Sequence, residues 1–130
     1  MTGNKFLLDT NIISALLKGE STIADKIDKA KKVYVPVIAL GELYYGAAYS
    51  THSNKNIADI RRFASSYNLL LIDEETTIAY GSIKADLRKK GKPIPENDIW
   101  ISAIAYRHKL TLATRDKHFK EVTGITIKHW

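Results

Sequence analysis

Short, unbroken apolar runs alternate along this chain with longer segments in which apolar residues recur at helical spacing. Phe6-Leu7-Leu8 has the pattern of a strand buried on both faces, and it stops at Asp9, Thr10 and Asn11. Thr10 or Asn11 is expected to cap the apolar segment Ile12 to Leu17, which places Asp9 at a strand-to-helix switch. Lys18-Gly19-Glu20 reads as a helix stop. Ser21 then caps a second helix carrying Ile23, Ile27 and Ala30 on one face, with Lys31 and Lys32 suited to its C-terminal end. Val33-Tyr34-Val35 is a second strand ended by Pro36, and Pro36 also suits the first turn of a third helix from Val37 to about Ala48.

Thr51-His52-Ser53-Asn54 breaks the pattern before a helix with Ile57, Ile60 and Ala64 at helical spacing. Tyr67 to Ile72 reads as a third strand. Asp73 caps a long helix with Ile78, Ala79, Ile83 and Leu87 facing inward, ending in Arg88-Lys89-Lys90 and closed by Gly91. Pro93 and Pro95 hold the next residues as a loop, and Asn97 is a suitable N-cap for a helix from Asp98 to about His108. Leu110 to Ala113 is a fourth strand, stopped by Thr114-Arg115-Asp116. A helical turn over Lys117 to Lys120 and a last strand from Ile125 to Lys128 follow. Strands alternating with helices predict an α/β fold with a mainly parallel sheet of five strands, covered on both faces. If the first strand is central, the first and fourth strands lie side by side, and Asp9 and Asp116 leave the sheet at the same edge.

Composition narrows the chemistry. With 130 residues and 45% hydrophobic content, a single domain over residues 1–130 with one well-buried core is expected. The absence of cysteine excludes disulfides, thiolate zinc sites and cysteine nucleophiles. No apolar run approaches the roughly 20 residues that cross a bilayer, and the N-terminus lacks a signal-peptide pattern, so no membrane association and a cytoplasmic location are expected. The net charge of +6 and pI near 9.5 favour a polyanionic partner such as nucleic acid. The four histidines, His52, His108, His118 and His129, show no i, i+4 pair of a helical metal site.

Four acids stand where capping or solvated charge explains them incompletely: Asp9, Glu42, Asp98 and Asp116. Glu42 lies among almost wholly apolar or small neighbours. Burying an unpaired carboxylate costs on the order of several kcal/mol, so Glu42 needs a salt-bridge partner or a cation. Asp98 opens a helix whose stripe Ile101, Ser102 and Ala105 is narrow enough to pack closely at a sheet edge; alone, Asp98 reads as a favourable charge at a helix N-terminus. Asp9 and Asp116, taken singly, read as caps, and Thr114 adds a hydroxyl able to touch a metal-bound water. Carboxylates crowded at one end of a sheet repel one another unless divalent cations neutralise them. Oxygen ligation without His or Cys points to magnesium or manganese, whose work in a basic protein is phosphoryl chemistry: activating a water and stabilising charge on phosphorus.

Four segments carry a family resemblance. They are Leu7-Leu8-Asp9-Thr10-Asn11, Ala39-Leu40-Gly41-Glu42-Leu43-Tyr44-Tyr45-Gly46, Pro95-Glu96-Asn97-Asp98-Ile99-Trp100-Ile101-Ser102-Ala103, and Leu112-Ala113-Thr114-Arg115-Asp116-Lys117-His118-Phe119. In this order and at these separations the chain resembles, over nearly its whole length, the PIN-domain ribonucleases, and within them the VapC-type toxins of bacterial and archaeal toxin–antitoxin pairs. The resemblance implies a three-layer α/β/α sandwich, an Mg²⁺ or Mn²⁺ site, and endonucleolytic cleavage of RNA such as tRNA or rRNA to inhibit translation. By position, Asp9, Glu42 and Asp98 would be the main catalytic and metal-site acids and Asp116 the more variable fourth, with Thr10, Asn11 and Thr114 as supporting groups. It also implies a homodimer and a cognate VapB-type antitoxin whose C-terminal segment covers the active-site groove, forming a higher assembly.

Other residues lie outside that pattern. Arg88, Lys89, Lys90, Lys92 and Arg115 are candidates for holding an RNA backbone. Tyr44, Tyr45 and Tyr49 suit base stacking, a partner interface or the core. No sequence pattern accounts for Trp130. The rival functions are a housekeeping PIN-domain RNA-processing nuclease, a non-catalytic RNA-binding member of the same fold, and a phosphotransfer protein with Asp9 as nucleophile; Asp9-Thr10-Asn11 lacks the second Asp expected of the last.

Overall fold

In the computed structural model, residues 4–130 are described. The elements in chain order are β1 (Lys5–Leu8), α1 (Thr10–Leu17), α2 (Ser21–Lys29), β2 (Lys32–Pro36), α3 (Val37–Ala48), α4 (Ser53–Ser65), β3 (Asn68–Leu70), α5 (Glu74–Lys89), α6 (Glu96–His108), β4 (Thr111–Thr114), a 3₁₀ turn (Lys117–Glu121) and β5 (Thr126–His129). The five strands form one parallel sheet in the order β3-β2-β1-β4-β5. The expected α/β architecture is therefore present, with β1 in the centre and β4 beside it, paired Leu7 to Leu112 and Leu8 to Ala113.

Burial follows from this position. Leu7 and Leu8 on β1 are fully buried, as are Leu112 and Ala113 on β4, because helices pack on both faces of the sheet. One layer gathers Phe6, Leu8, Ile12, Ile13 and Leu40 with α1, α3 and α4; the other gathers Leu7, Ile101, Ile104, Leu112 and Phe119 with α6. Trp130 acquires a physical role here. It is buried, its ring sits 4.8 Å from that of Phe6, and its backbone N–H donates to the Thr114 carbonyl at 3.4 Å.

Several local expectations shift. Asp9 itself, not Thr10 or Asn11, caps α1, its carboxylate accepting the Thr10 backbone N–H at 2.8 Å. The helix expected to begin at Asp98 with Asn97 as cap begins at Glu96 instead, because Pro95 supplies a preset backbone whose carbonyl accepts the N–H groups of Asp98 and Ile99. The third strand is only Asn68–Leu70, shorter than the apolar run suggested, since it sits at the sheet edge with one neighbour. Ile78 is exposed, while Thr76, Ala79, Ile83 and Leu87 form the buried stripe of α5. The cap and stop signals of α5 hold: Asp73 accepts the Thr76 N–H at 2.8 Å, and Gly91 adopts φ 66° beyond the last turn.

The ring of Trp130 fills core volume against the central strand, so Trp130→Ala should lower unfolding free energy by about 3 kcal/mol in urea denaturation followed by circular dichroism. An unchanged midpoint would show that its burial contributes no stability.

Candidate functional site

The C-terminal ends of β1 and β4 set the site. Because Leu8 pairs with Ala113, the next residue of each strand emerges at the same sheet edge, and the Asp9 N–H donates to the Ala113 carbonyl at 3.0 Å. Asp9 is 4% exposed, and the Thr114 hydroxyl donates to its Oδ2 at 2.7 Å while the Thr10 N–H donates to its Oδ1. The same Thr114 oxygen accepts the Asp116 backbone N–H at 2.9 Å, so one hydroxyl orients Asp9 and anchors the chain that carries Asp116. Thr114 thus holds a carboxylate in place.

Two further contacts draw helices α1 and α3 into the cluster. The Thr10 hydroxyl donates to Glu42 Oε1 at 2.9 Å, fixing the acid of α3 against the start of α1. The Asn11 side-chain carbonyl accepts the Arg115 N–H at 3.2 Å, tying α1 to the segment after β4. Glu42 is half-buried, and it pairs with a hydroxyl where a lysine or arginine partner had been considered. Asp98 is also half-buried, in the first turn of α6, and its carbonyl accepts the Ser102 hydroxyl at 2.8 Å.

His118 completes the arrangement. Its Nδ1 lies 2.9 Å from Asp116 Oδ1 and 3.7 Å from Asp98 Oδ2, and its backbone N–H donates to Asp116 Oδ1 at 2.9 Å. One ligand atom from each of Asp98, Asp116 and His118 falls within 4.8 Å of the others. The helical-pair criterion misses His118 because the partners come from separate elements; its position two residues after Asp116, in a turn leaving β4, is the available signal.

Electrostatics show the cost of this gathering. Burial raises the Asp9 pKa, the hydrogen bonds from Thr114 and Thr10 oppose the rise, and the nearby charges of Glu42 and Asp116 add to it. Asp98 is pushed up to about 6, first by burial and then by Asp9, Asp116 and Glu42, with His118 acting in the other direction. Among the described residues no lysine or arginine forms an ion pair with any of these four acids. Carboxylate oxygens and the His118 imidazole gather here without a lysine or arginine partner, so Asp98, Asp116 and His118 could hold a divalent ion, with Asp9 and Glu42 close enough to add to its field, where the sequence pointed to oxygen ligation alone.

The basic candidates lie around this centre. Lys84 pairs with Glu96 at 3.2 Å and Arg107 with Asp73 at 3.4 Å, so α5 and α6 run antiparallel. This brings the exposed Arg88, Lys89, Lys90 and Lys92 to the end of the helix pair from which α6 starts and where Asp98 lies. Lys90 is occupied by Asp86 at 3.1 Å. The Arg115 guanidinium is engaged by both carboxylate oxygens of Glu20 at 3.1 and 2.6 Å.

Comparisons with known proteins agree with this geometry. The family model described as PIN domain matches residues 6–125. Ribonuclease VapC2 of Haemophilus influenzae is 36% identical over 129 residues, covering 97% of this chain and 98% of the relative. The tRNA(fMet)-specific endonuclease VapC of Salmonella typhimurium is 31% identical over 129 residues, covering 97% and 98%. Among solved structures, DNA-bound VapBC from Salmonella typhimurium superposes with a TM-score of 0.91 at 31% identity, covering 97% of this chain and 98% of the other. VapBC2 of Rickettsia felis bound to a promoter DNA fragment gives 0.90 at 25% identity, covering 97% and 98%. With its central parallel sheet, its four gathered acids and these near full-length matches, the chain belongs to the PIN domain family, in its VapC branch.

Proposed function

We propose that this chain is an Mg²⁺- or Mn²⁺-dependent endoribonuclease, the toxin of a type II toxin–antitoxin pair, hydrolysing phosphodiester bonds of tRNA or rRNA in the cytoplasm. The observation that carries the reading is the convergence of Asp9, Glu42, Asp98 and Asp116 without an ion-paired lysine or arginine. Relatives named as ribonucleases and a tRNA endonuclease support it. A divalent ion bound there would act as a Lewis acid toward the phosphate and lower the pKa of water. The chain's own residues supply the rest. Thr114 and the Thr10 N–H fix both oxygens of Asp9, Thr10 fixes Glu42, and His118 holds one oxygen of Asp116. The basic end of α5 offers phosphate contacts without crowding the acids.

The partner reading follows the same relatives. The solved neighbours are VapBC assemblies, which supports a VapB-type antitoxin as partner of this chain; a homodimer inside the larger complex is part of the same proposal. The exposed aliphatic side chains Leu69, Leu71 and Ile78, near the edge strand β3, favour protein contact.

Cleavage of tRNA and rRNA by the wild type in Mn²⁺ should fall at least 100-fold in Asp98→Asn and in EDTA, a loss typical of removing a metal-site group. Equal cleavage in all conditions would sink the assignment.

Titration supplies a separate check. A carboxyl with its folded pKa raised to about 6 binds more protons folded than unfolded, so its contribution to stability falls as pH rises from 3.8 toward 6 and stays low above that. Scanned without metal between pH 4.5 and 7.5, Asp98→Asn should lose part of the wild type's decline in Tm and melt a few degrees higher at pH 7.5. Mn²⁺ should raise the wild-type Tm at pH 7.5 and have a smaller effect on Asp98→Asn. A metal-independent Tm in both proteins would count against the ion.

A further inference from the structure

The outward surface of α3 is unusual for a solvated helix. Glu42 is the sole charged residue among its 12, yet Gly41, Tyr45, Gly46 and Ala48 are exposed. Three tyrosines follow Glu42 closely, and the structure separates their roles. Tyr44 packs against the core. Tyr45 is 72% exposed, and Tyr49, the C-cap of the helix, is 85% exposed. The two exposed rings stack on each other, with centroids 6.2 Å apart and planes inclined by 21°. Burial therefore does not explain Tyr45 and Tyr49, although it explains Tyr44.

Their position relative to the acids is specific. Glu42, Tyr45 and Tyr49 are spaced i, i+3 and i+7, so they share one side of α3. Tyr45 and Glu42 also line a single cleft of about 380 Å³ with Val37, Ile38, Gly41 and Asn97. Asn97 immediately precedes Asp98 at the start of α6. The cleft thus has one of the gathered acids, Glu42, and an aromatic ring on its wall, and it reaches the residue before a second acid, Asp98. A Cβ at Gly41 would meet nothing within 4 Å, so packing within the chain does not account for the bare wall.

We infer that Tyr45 is a substrate-positioning residue, stacking on the unpaired base of a nucleotide adjacent to the scissile phosphate, with Tyr49 extending the same aromatic surface. The inference rests on the ribonuclease reading above and names how that site takes a single strand. A metal ion on the acids would draw the scissile phosphate but gives the neighbouring base nothing to rest on, so a single strand needs a non-ionic contact beside the acids. An aromatic face supplies such contact to any base. A nucleobase suits this cleft better than a protein side chain because Glu42 is on its wall, its one exposed ring, Tyr45, is stacked on Tyr49, and the chain carries +6 overall. The exposed aliphatic residues Leu69, Leu71 and Ile78 belong to a different part of the fold, β3 and α5.

The test uses the full chain and a short single-stranded oligoribonucleotide containing 2-aminopurine, whose fluorescence is quenched on stacking. Binding is measured in the Asp98→Asn background to prevent cleavage. Quenching is expected there, with about ten-fold weaker binding and loss of quenching when Tyr45→Ala is added, and recovery with Tyr45→Phe. In the cleavage-competent chain, Tyr45→Ala should raise KM about ten-fold, with the loss falling on KM more than on kcat. Unchanged quenching and KM would overturn the inference. So would a Tyr45→Ala protein that binds RNA normally but changes oligomeric state or loses antitoxin, because the face would then be a protein interface. A wild type that cleaves no RNA removes the ribonuclease reading; cleavage indifferent to Tyr45 removes only the stacking role.

Discussion

The hydrogen bond from Thr114 to Asp9, 2.7 Å long and buried, connects residues 105 positions apart, and the site geometry depends on it. It exists because β1 and β4 are neighbours in a register that brings Leu8 opposite Ala113. A one-residue slip would turn Thr114 to the other face of the sheet and leave the buried Asp9 oxygen without its donor. That register is supported on both sides by apolar packing, and the backbone N–H of Trp130, the residue after β5, donates to the Thr114 carbonyl. Core packing and site geometry are here one constraint seen at two ends of the same strands.

Charge is distributed in a complementary way. The protein is basic overall, and those of its lysines and arginines that form ion pairs do so with peripheral acids, as Lys84 with Glu96, Arg107 with Asp73, and Arg115 with Glu20. The acids of the sheet edge are left to hydroxyls, backbone N–H groups and one imidazole. Neutral donors orient a carboxylate without cancelling its charge, so the centre keeps its attraction for a cation while the periphery keeps its attraction for a polyanion. A lysine placed next to Asp9 would serve the second purpose and defeat the first.

The strand pattern carried most of the fold, because strands buried on both faces are unbroken apolar runs that end abruptly at polar residues. It also revealed three of the acids through position: Asp9 and Asp116 after strands, Asp98 near a helix start. Glu42 stood out by contrast with its apolar helix. Features decided by tertiary contact were harder to read. Ile78 fits the helical stripe by spacing but falls beyond the sheet's cover, and the end of a sheet governs where Tyr67 to Ile72 stops being a strand. His118 meets Asp98 only because α6 and the turn after β4 converge, a relation that no local spacing encodes. The same holds for Arg115, whose bond to Glu20 spans 95 residues.

The four acids are divided by the loop around Pro93 and Pro95, Asp9 and Glu42 before it, Asp98 and Asp116 after it. Neither half alone carries all four acids, and the β1–β4 pairing brings the halves together. The long sequence separation of these acids therefore makes the assembled sheet, and no local segment, the smallest unit in which they meet.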